Sequence, residues 1–208
     1  MTYQGVRVRA VPVTSVFAYE RAASGYRLAK SRGGAHAALY DAVVGAEQSL
    51  CEVGTGVSVS QSLKPSAQGA GLLYQAGCKL LVADVAGAIK GVALICTYET
   101  GEQLIEPKAF GGATDAFVRS QPDASALMLE LICARGAATA EGRNSNYVAA
   151  KALIAALKRF AQQRSYEVIV AKAENARSRE FLRKRGFAVL FQRGNPAAMQ
   201  VATSDLTV

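Results

Sequence analysis

YEVIVAKAENARSREFLRKRGF, residues 166–187, is the stretch whose reading decides the fold. Val168, Ile169 and Val170 are consecutive and β-branched, the composition of a strand buried on both faces. Asn175 interrupts the run. From Ala176 to Arg185 every residue is a workable helix former with no Gly or Pro, and Gly186 offers the left-handed exit at which helices commonly end. Phe187–Phe191 (FAVLF) reads as the next strand. Taken by itself the unit is an ordinary strand, Asn turn, short helix, Gly and strand.

Working outward, Lys79–Val85 (KLLVADV), Ala86-Gly87 and Ala88–Tyr98 (AIKGVALICTY) predict a strand, a tight turn and a longer strand. Gly91 inside that second strand points to a bulge or a close backbone approach. Leu127–Cys133 (LMLELIC) is a third apolar strand, and Glu130 within it needs a partner, an exposed face or a task. Residues 145–164 form the best-defined helix. Asn144 and Ser145 offer caps, and Ala149, Leu153, Ala156, Leu157 and Phe160 share one face. A helix start that follows a strand presents unsatisfied N–H groups and a positive dipole end, which suits a phosphate or pyrophosphate.

Toward the N-terminus, residues 6–13 (VRVRAVPV) alternate apolar and basic like a half-exposed strand, and Thr14-Ser15 predicts the cap of a helix reaching about Arg27. Ser31–Gly34 break the pattern before a second helix over Ala35–Leu50. The Gly- and Ser-rich stretch from Gly54 to Gly71 reads as a substrate-side loop, and Gly101–Asp123 as a Gly-rich connection.

Asn175, Ser178, Phe181 and Gly186-Phe187, at these spacings, resemble the closing half of the GNAT acyltransferase family. The family's usual form is Asn, two residues, Ala, two residues, Phe-Tyr and then Gly-Phe; here Ser178 fills the Ala slot and Leu182 the Tyr slot. The 79–98 hairpin is similar to the family's second and third strands, and 127–133 occupies the place of the fourth core strand. The resemblance implies an α/β fold: a single GNAT-like domain over 1–208, with a mixed central β-sheet flanked by helices and splayed strands forming a cofactor cleft. Residues 1–76 would supply acceptor-side helices and loops, and 77–208 the core sheet and cofactor half.

By the same resemblance the cofactor is acetyl-CoA or another acyl-CoA. Backbone N–H groups of Leu131, Ile132 and Cys133 would receive its amide arm and thioester oxygen. Arg143, Asn144, Ser145 and Asn146 would meet the pyrophosphate, with Val148, Ala149 and Ala150 at the helix start, and Asn175 and Ser178 would close the site. Val148 and Ala150 stand where the family usually has glycines, and Leu182 where it often has a proton-donating Tyr. The implied reaction is acyl transfer to a primary amine. Glu130 would act as base, directly or through water, with Glu99 as second choice; in place of the absent Tyr, Tyr147 or Tyr98, or bulk water, would protonate the departing thiolate. Leu129–Ile132, the long loop and Arg143–Ser145 also look like a phage subset of the fold that includes the Mom-like proteins, which modify adenine in DNA. The paired histidines of that subset are absent, since the corresponding region reads RAASGYRLAKS.

Composition narrows the classes. A single histidine, His36, beside Gly33-Gly34 in a polar stretch, excludes a His-cluster metal site and reads as a solvated loop residue. Cys51, Cys78, Cys96 and Cys133 lie far apart without a CxxC pair, which favours buried thiols over disulfides or metal ligands. No apolar run approaches the ~20 residues of a membrane span, and the N-terminus shows no leader-like core, so a cytoplasmic protein is expected. Residues 143–193 hold twelve Lys or Arg against three Glu, net +9, while the whole chain is +8. A field concentrated in one segment favours an anionic partner there: a phosphorylated cofactor, or nucleic acid. A solvated helix face is the plain alternative. Three functions remain open on these grounds: an acyltransferase, a nucleic-acid-modifying transferase, and a catalytically silent binding module. Homodimer pairing, frequent in GNAT-like domains, is a further implication.

Overall fold

The computed structural model of the 208-residue chain describes residues 5–23, 25–51, 63, 78–98, 125–134, 140–173, 175–192 and 197–208. Seven strands form one sheet in the order β1 (Val6–Pro12), β4 (Lys79–Val85), β5 (Ala88–Tyr98), β6 (Ala126–Ala134), β7 (Val168–Ala173), β9 (Ala197–Ala202) and β8 (Ala188–Gln192). The β6–β7 pair is parallel and every other pair is antiparallel. A parallel pair needs a crossover, and α2 (Ala140–Gln163) supplies it. The chain then runs through α3 (Ala176–Arg183) to β8 and returns between β7 and β8 as β9. This is the mixed sheet flanked by helices that the GNAT resemblance implied.

Two core layers sandwich the sheet. On one face α1 (Ala38–Cys51) and the β2 (Phe17–Ala22) and β3 (Gly25–Lys30) hairpin bring Val16, Phe17, Leu39 and Val43 onto Leu80, Val82, Val92, Leu94 and Met128. On the other, α2 packs Ala149, Leu153, Ile154 and Leu157 onto Leu81, Ala93, Ile95 and Leu127. Each fully buried Leu, Ile or Phe among these contributes about 1.5–3 kcal/mol. Alternation along β5 and β6 is reset by two bulges. Ala83 opposes Gly91 but Asp84 opposes Ile89, leaving Lys90 as an extra residue; Leu131 opposes Leu94 but Leu129 opposes Ile95, leaving Glu130 extra. Because strand side chains alternate with a period of two, each insertion moves the residues beyond it to the opposite face. Leu127 and Leu129 face α2, yet after the bulge Leu131 and Cys133 join Met128 on the α1 face, and Ile132 takes the α2 face.

Gly91 combines both roles expected of it. It adjoins the Lys90 bulge, and a Cβ placed on it would lie 2.9 Å from Leu153 Cδ1 and 3.2 Å from the Cys133 carbonyl oxygen. The β4–β5 turn has Ala86 and Gly87 at φ 51° and 82°, the paired positive values of a type I′ hairpin, and Asp84 Oδ1 accepts the Gly87 N–H at 2.8 Å.

One predicted helix is wrong. Residues 15–27 form no helix: the chain makes a short 3-10 turn over Val13–Ser15 and then the β2–β3 hairpin. Ser15 Oγ donates to the Pro12 carbonyl instead of capping a helix. Ala, Glu and Arg favour helix locally, but Phe17 is buried and Tyr19 packs against the core at strand spacing, while Gly25 sits at φ 125° where the chain reverses. Tertiary burial overrides a preference of a few tenths of a kcal/mol per residue. Strand β9 had no counterpart in the reading of the sequence. His36, expected in a solvated loop, is half-buried in the turn before α1.

Candidate functional site

Among the described strands the sheet opens between β6 and β7. Pairing between β6 and β7 runs from Ala126–Val168 to Leu129–Ala171 and stops there, although β6 continues five residues further. Glu130, the bulge residue, is the first residue past the split. Beyond it Leu129, Glu130, Leu131 and Ile132 on one side face Ala171, Ser178, Phe181 and Leu182 on the other, around a cavity of about 10 Å³. That is room for one water-sized group. The cavity surface is almost wholly apolar; Glu130 and Ser178 are the polar residues among those around it, and Glu130 itself is half-buried. Bulge and split have one cause: a residue extra to the β5 register turns the end of β6 away from β7.

Helix α3 forms the outer wall, and its geometry is strongly specified. Asn175 Oδ1 accepts the Ser178 N–H at 2.9 Å while Ser178 Oγ accepts the Asn175 N–H at 3.1 Å, a reciprocal capping box. The Ser178 hydroxyl also donates to the Asn175 carbonyl at 2.9 Å. At the other end Phe187 N–H reaches the Leu182 carbonyl and Gly186 N–H the Arg183 carbonyl, at 3.2 and 3.0 Å, with Gly186 at φ 92°. These are the two bonds of a Schellman ending, and Leu182 and Phe187 bury together as that motif requires. Leu182 is thus a core residue at the cleft apex. Phe181 carries the buried Arg185 guanidinium over its ring at 4.8 Å.

Helix α2 begins at Ala140, five residues before the start the caps suggested. Arg143, Asn144, Ser145 and Asn146 therefore lie within its first two turns rather than in a loop ahead of it, and Asn144 and Ser145 are not its caps. The four orphan donors of the helix belong to about residues 140–143. Side chains of residues 140–147, including Tyr147, lie outside the described residues, as do Glu99, Gly101–Asp123 and, apart from Leu63, the stretch Gly54–Gly71. Ala149 is fully buried against the sheet, Ala150 is nearly so, and Val148 is half-buried. The Ala149 side chain accordingly belongs to the core.

The structure brings Glu130, Leu131, Ile132 and Ser178 together at one cavity and places Asn175 in the turn that orients Ser178. Leu129, Ala171 and Phe181, which the sequence did not single out as site residues, complete the lining. A gap between strands with an apolar lining is chemically compatible with the acyl end of an acyl-CoA, although the enclosed space as it stands holds no more than a water-sized group. No group of three His, Cys, Asp or Glu able to hold a metal occurs among the described residues, and no helix there is long and apolar enough to cross a membrane.

On the opposite side of the sheet, Glu20 on β2 bridges Arg32 and Arg27 at 2.8 and 3.2 Å. The Arg32 hydrogen bond, followed by that of Arg27, holds its carboxyl below the usual glutamate value. With Lys30 and Tyr40 these residues edge an open, solvent-washed depression of about 530 Å³. The expected burial of cysteines holds for Cys78, Cys96 and Cys133.

No family model matches the chain, and no curated protein matches it. Solved structures do. The N-acyl amino acid synthase FeeM from uncultured soil microbes superposes with TM-score 0.49 and 17% identity, over 64% of this chain and 76% of that one. A Desulfovibrio desulfuricans protein assigned to the GNAT family of acetyltransferases gives 0.42 and 13%, over 61% and 70%. Arylalkylamine N-acetyltransferase 2 from Aedes aegypti gives 0.42 and 15%, over 60% and 73%. Strand order, the parallel β6–β7 pair with its split and the bulge ahead of it carry the fold assignment: the chain has a diverged GNAT-like fold.

Proposed function

We propose that the protein is an acyl-CoA-dependent N-acyltransferase acting on a primary amine, with acetyl-CoA as the first donor to test. The observation that carries this reading is the parting of β6 from β7 at Leu129–Ala171 directly beside the Glu130 bulge. An acyl-CoA bound there would supply an activated thioester. Backbone groups of Leu131, Ile132 and Cys133 would hold its acyl end, and Ser178, ordered by Asn175, would line the far wall. Its phosphates would lie toward the first turns of α2, near Arg143, Asn144, Ser145 and Asn146, with Val148 and Ala150 behind them. Glu130 would take a proton from the incoming ammonium, directly or through one water; a half-buried carboxylate beside an apolar wall can serve as such a base. Tyr147, or Glu99 in the base role, would complete proton handling. Leu182 carries no proton, so the thiolate must be protonated elsewhere.

Calorimetry with acetyl-CoA tests the reading, followed by thiol release with a panel of amines. Binding that saturates, with amine-dependent release of free CoA, is expected. No heat and no thermal shift at saturating acetyl-CoA would defeat it.

A second reading rests on a different observation. Arg177 and Arg183 on α3 and Lys184 just after it are exposed, in the segment that carries net +9. If this face binds nucleic acid, as a modifying enzyme or a silent module would, duplex affinity must fall steeply between 50 and 200 mM salt, by about 10³ if six phosphates are contacted. Undetectable or salt-insensitive binding would remove it.

A further inference from the structure

Cys78 and Cys96 are distant in sequence and adjacent in space. Their sulfurs lie 2.8 Å apart, and both side chains are buried, 5% and 1% exposed. Lys79 opposes Ile95 in the β4–β5 ladder, so Cys78 and Cys96 continue that register by one antiparallel step. Residues directly opposite in an antiparallel pair have Cα atoms about 4.5–5.5 Å apart, inside the window that a disulfide requires. Both side chains belong to the α1-face core with Leu80 and Leu94. Neither takes part in the acyl-transfer chemistry proposed above.

We propose that Cys78 and Cys96 form a redox modification site: a cross-strand dithiol that a hydroperoxide converts to a disulfide. One thiolate attacks the peroxide oxygen, giving a sulfenic acid and one water once the leaving hydroxide is protonated. The second thiol then attacks the sulfenic sulfur, forming the S–S bond and releasing a second water. Two thiols and one hydrogen peroxide thus give one disulfide and two waters, with the sulfurs oxidised and the peroxide oxygens reduced. A sulfur already in contact captures the sulfenic acid before a second peroxide can raise it to the sulfinic state. The hydrogen bond with Cys78, followed by burial, raises the Cys96 thiol well above its ordinary value, which suits Cys96 to the second, resolving role. The site lies close to the cleft: Cys96 opposes Met128, two residues before the Glu130 bulge.

The test exposes the reduced full chain to hydrogen peroxide under native conditions, alkylates remaining thiols in denaturant and maps peptides by mass. A Cys51→Ser background removes exchange through that thiol, and wild type is run beside it. Expected are a linked Cys78–Cys96 peptide pair two hydrogens lighter, a Tm that rises on oxidation and returns with dithiothreitol, and faster linking in native than in urea-unfolded protein. In Cys96→Ser, Cys78 should instead go on to the sulfinic acid. The proposal is overturned if Cys78 and Cys96 both remain alkylatable after peroxide has consumed other thiols. It is overturned equally if linking is no faster in the native protein, or if Cys78 is over-oxidised at the same rate with and without Cys96.

Discussion

Replacing Gly91 by Ala tests how closely α2 is seated on the sheet. The new methyl carbon would lie 2.9 Å from Leu153 Cδ1, 3.2 Å from the Cys133 carbonyl oxygen and 3.6 Å from Ala149 Cβ. The third contact is ordinary. The first can be relieved by rotating a leucine methyl, but the second is backbone on a paired neighbour strand and must yield by a few tenths of an ångström. Overpacking of this kind costs about 1–3 kcal/mol, and the reduced freedom of the unfolded chain returns about 0.4–1. The net expectation is a loss of about 1–2 kcal/mol, or a Tm drop of about 2–8 °C for a chain of this length. Urea unfolding with an unchanged m-value is the assay. Leu153→Ala alone should cost about 2–5 kcal/mol, and the double variant should cost less than the sum by about 1, because the alanine methyl fills part of the space that Leu153 leaves. A neutral or stabilising Gly91→Ala, or strict additivity with Leu153→Ala, would refute the packing described.

Gly186→Ala places a side chain at φ 92° and 2.9 Å from the Asp205 carbonyl oxygen, so a loss of about 2 kcal/mol or more is expected in denaturant melts; an unchanged midpoint would rule out the turn. Asn175→Ala removes the capping acceptor of α3 and should cost about 1 kcal/mol, most of which Asn175→Asp restores. Equal losses for both would show that the cap is not the cause. Glu130→Gln should lower the acyl-transfer rate about 10²- to 10⁴-fold with the acetyl-CoA thermal shift intact, and a fully active variant would exclude it as the base. The Glu20 carboxyl is depressed by Arg32 and Arg27, so its stabilisation is complete above the ordinary glutamate value near 4.5 and fades as acid carries the pH down through the lower folded value. Wild type and Glu20→Gln should therefore converge in stability at strongly acid pH and in high salt. A gap that widens toward acid would contradict that sign.

The sheet core was legible because its strands announce themselves locally: LLVADV, GVALIC and LMLELIC are apolar runs too short for buried helices. Residues 175–187 were legible for a sharper reason, since capping box, helix and Schellman ending are each fixed by neighbours a few positions apart. The β2–β3 hairpin was missed because FAYERAASGYRLAK satisfies helix propensity, and only burial of Phe17 and Tyr19 by distant residues decides otherwise. The start of α2 was misplaced because Asn144 and Ser145 have cap-like chemistry wherever they occur. At the site, the sequence singled out Glu130 as an anomalous carboxylate, but a bulge is a property of two registers at once. The split at Leu129–Ala171 exists only once β5, β6 and β7 are laid side by side, and the contact of Cys78 with Cys96 only once β4 is paired with β5.

The extra residue at position 130 also sets what sequence change this strand can absorb. Side-chain exchange there alters chemistry at the cleft and leaves the frame alone. Deleting Glu130 would close the bulge and bring Leu131 directly after Leu129, so every buried residue of β6 would keep its present face, Leu129 and Ile132 toward α2 and Leu131 and Cys133 toward α1. What the strand would lose is the extra length that turns its end away from β7. Length at this point of the chain therefore governs the cleft rather than the core: a variant one residue shorter should still fold, as Glu130→Gln and Glu130→Ala do, but with the opening between β6 and β7 narrowed.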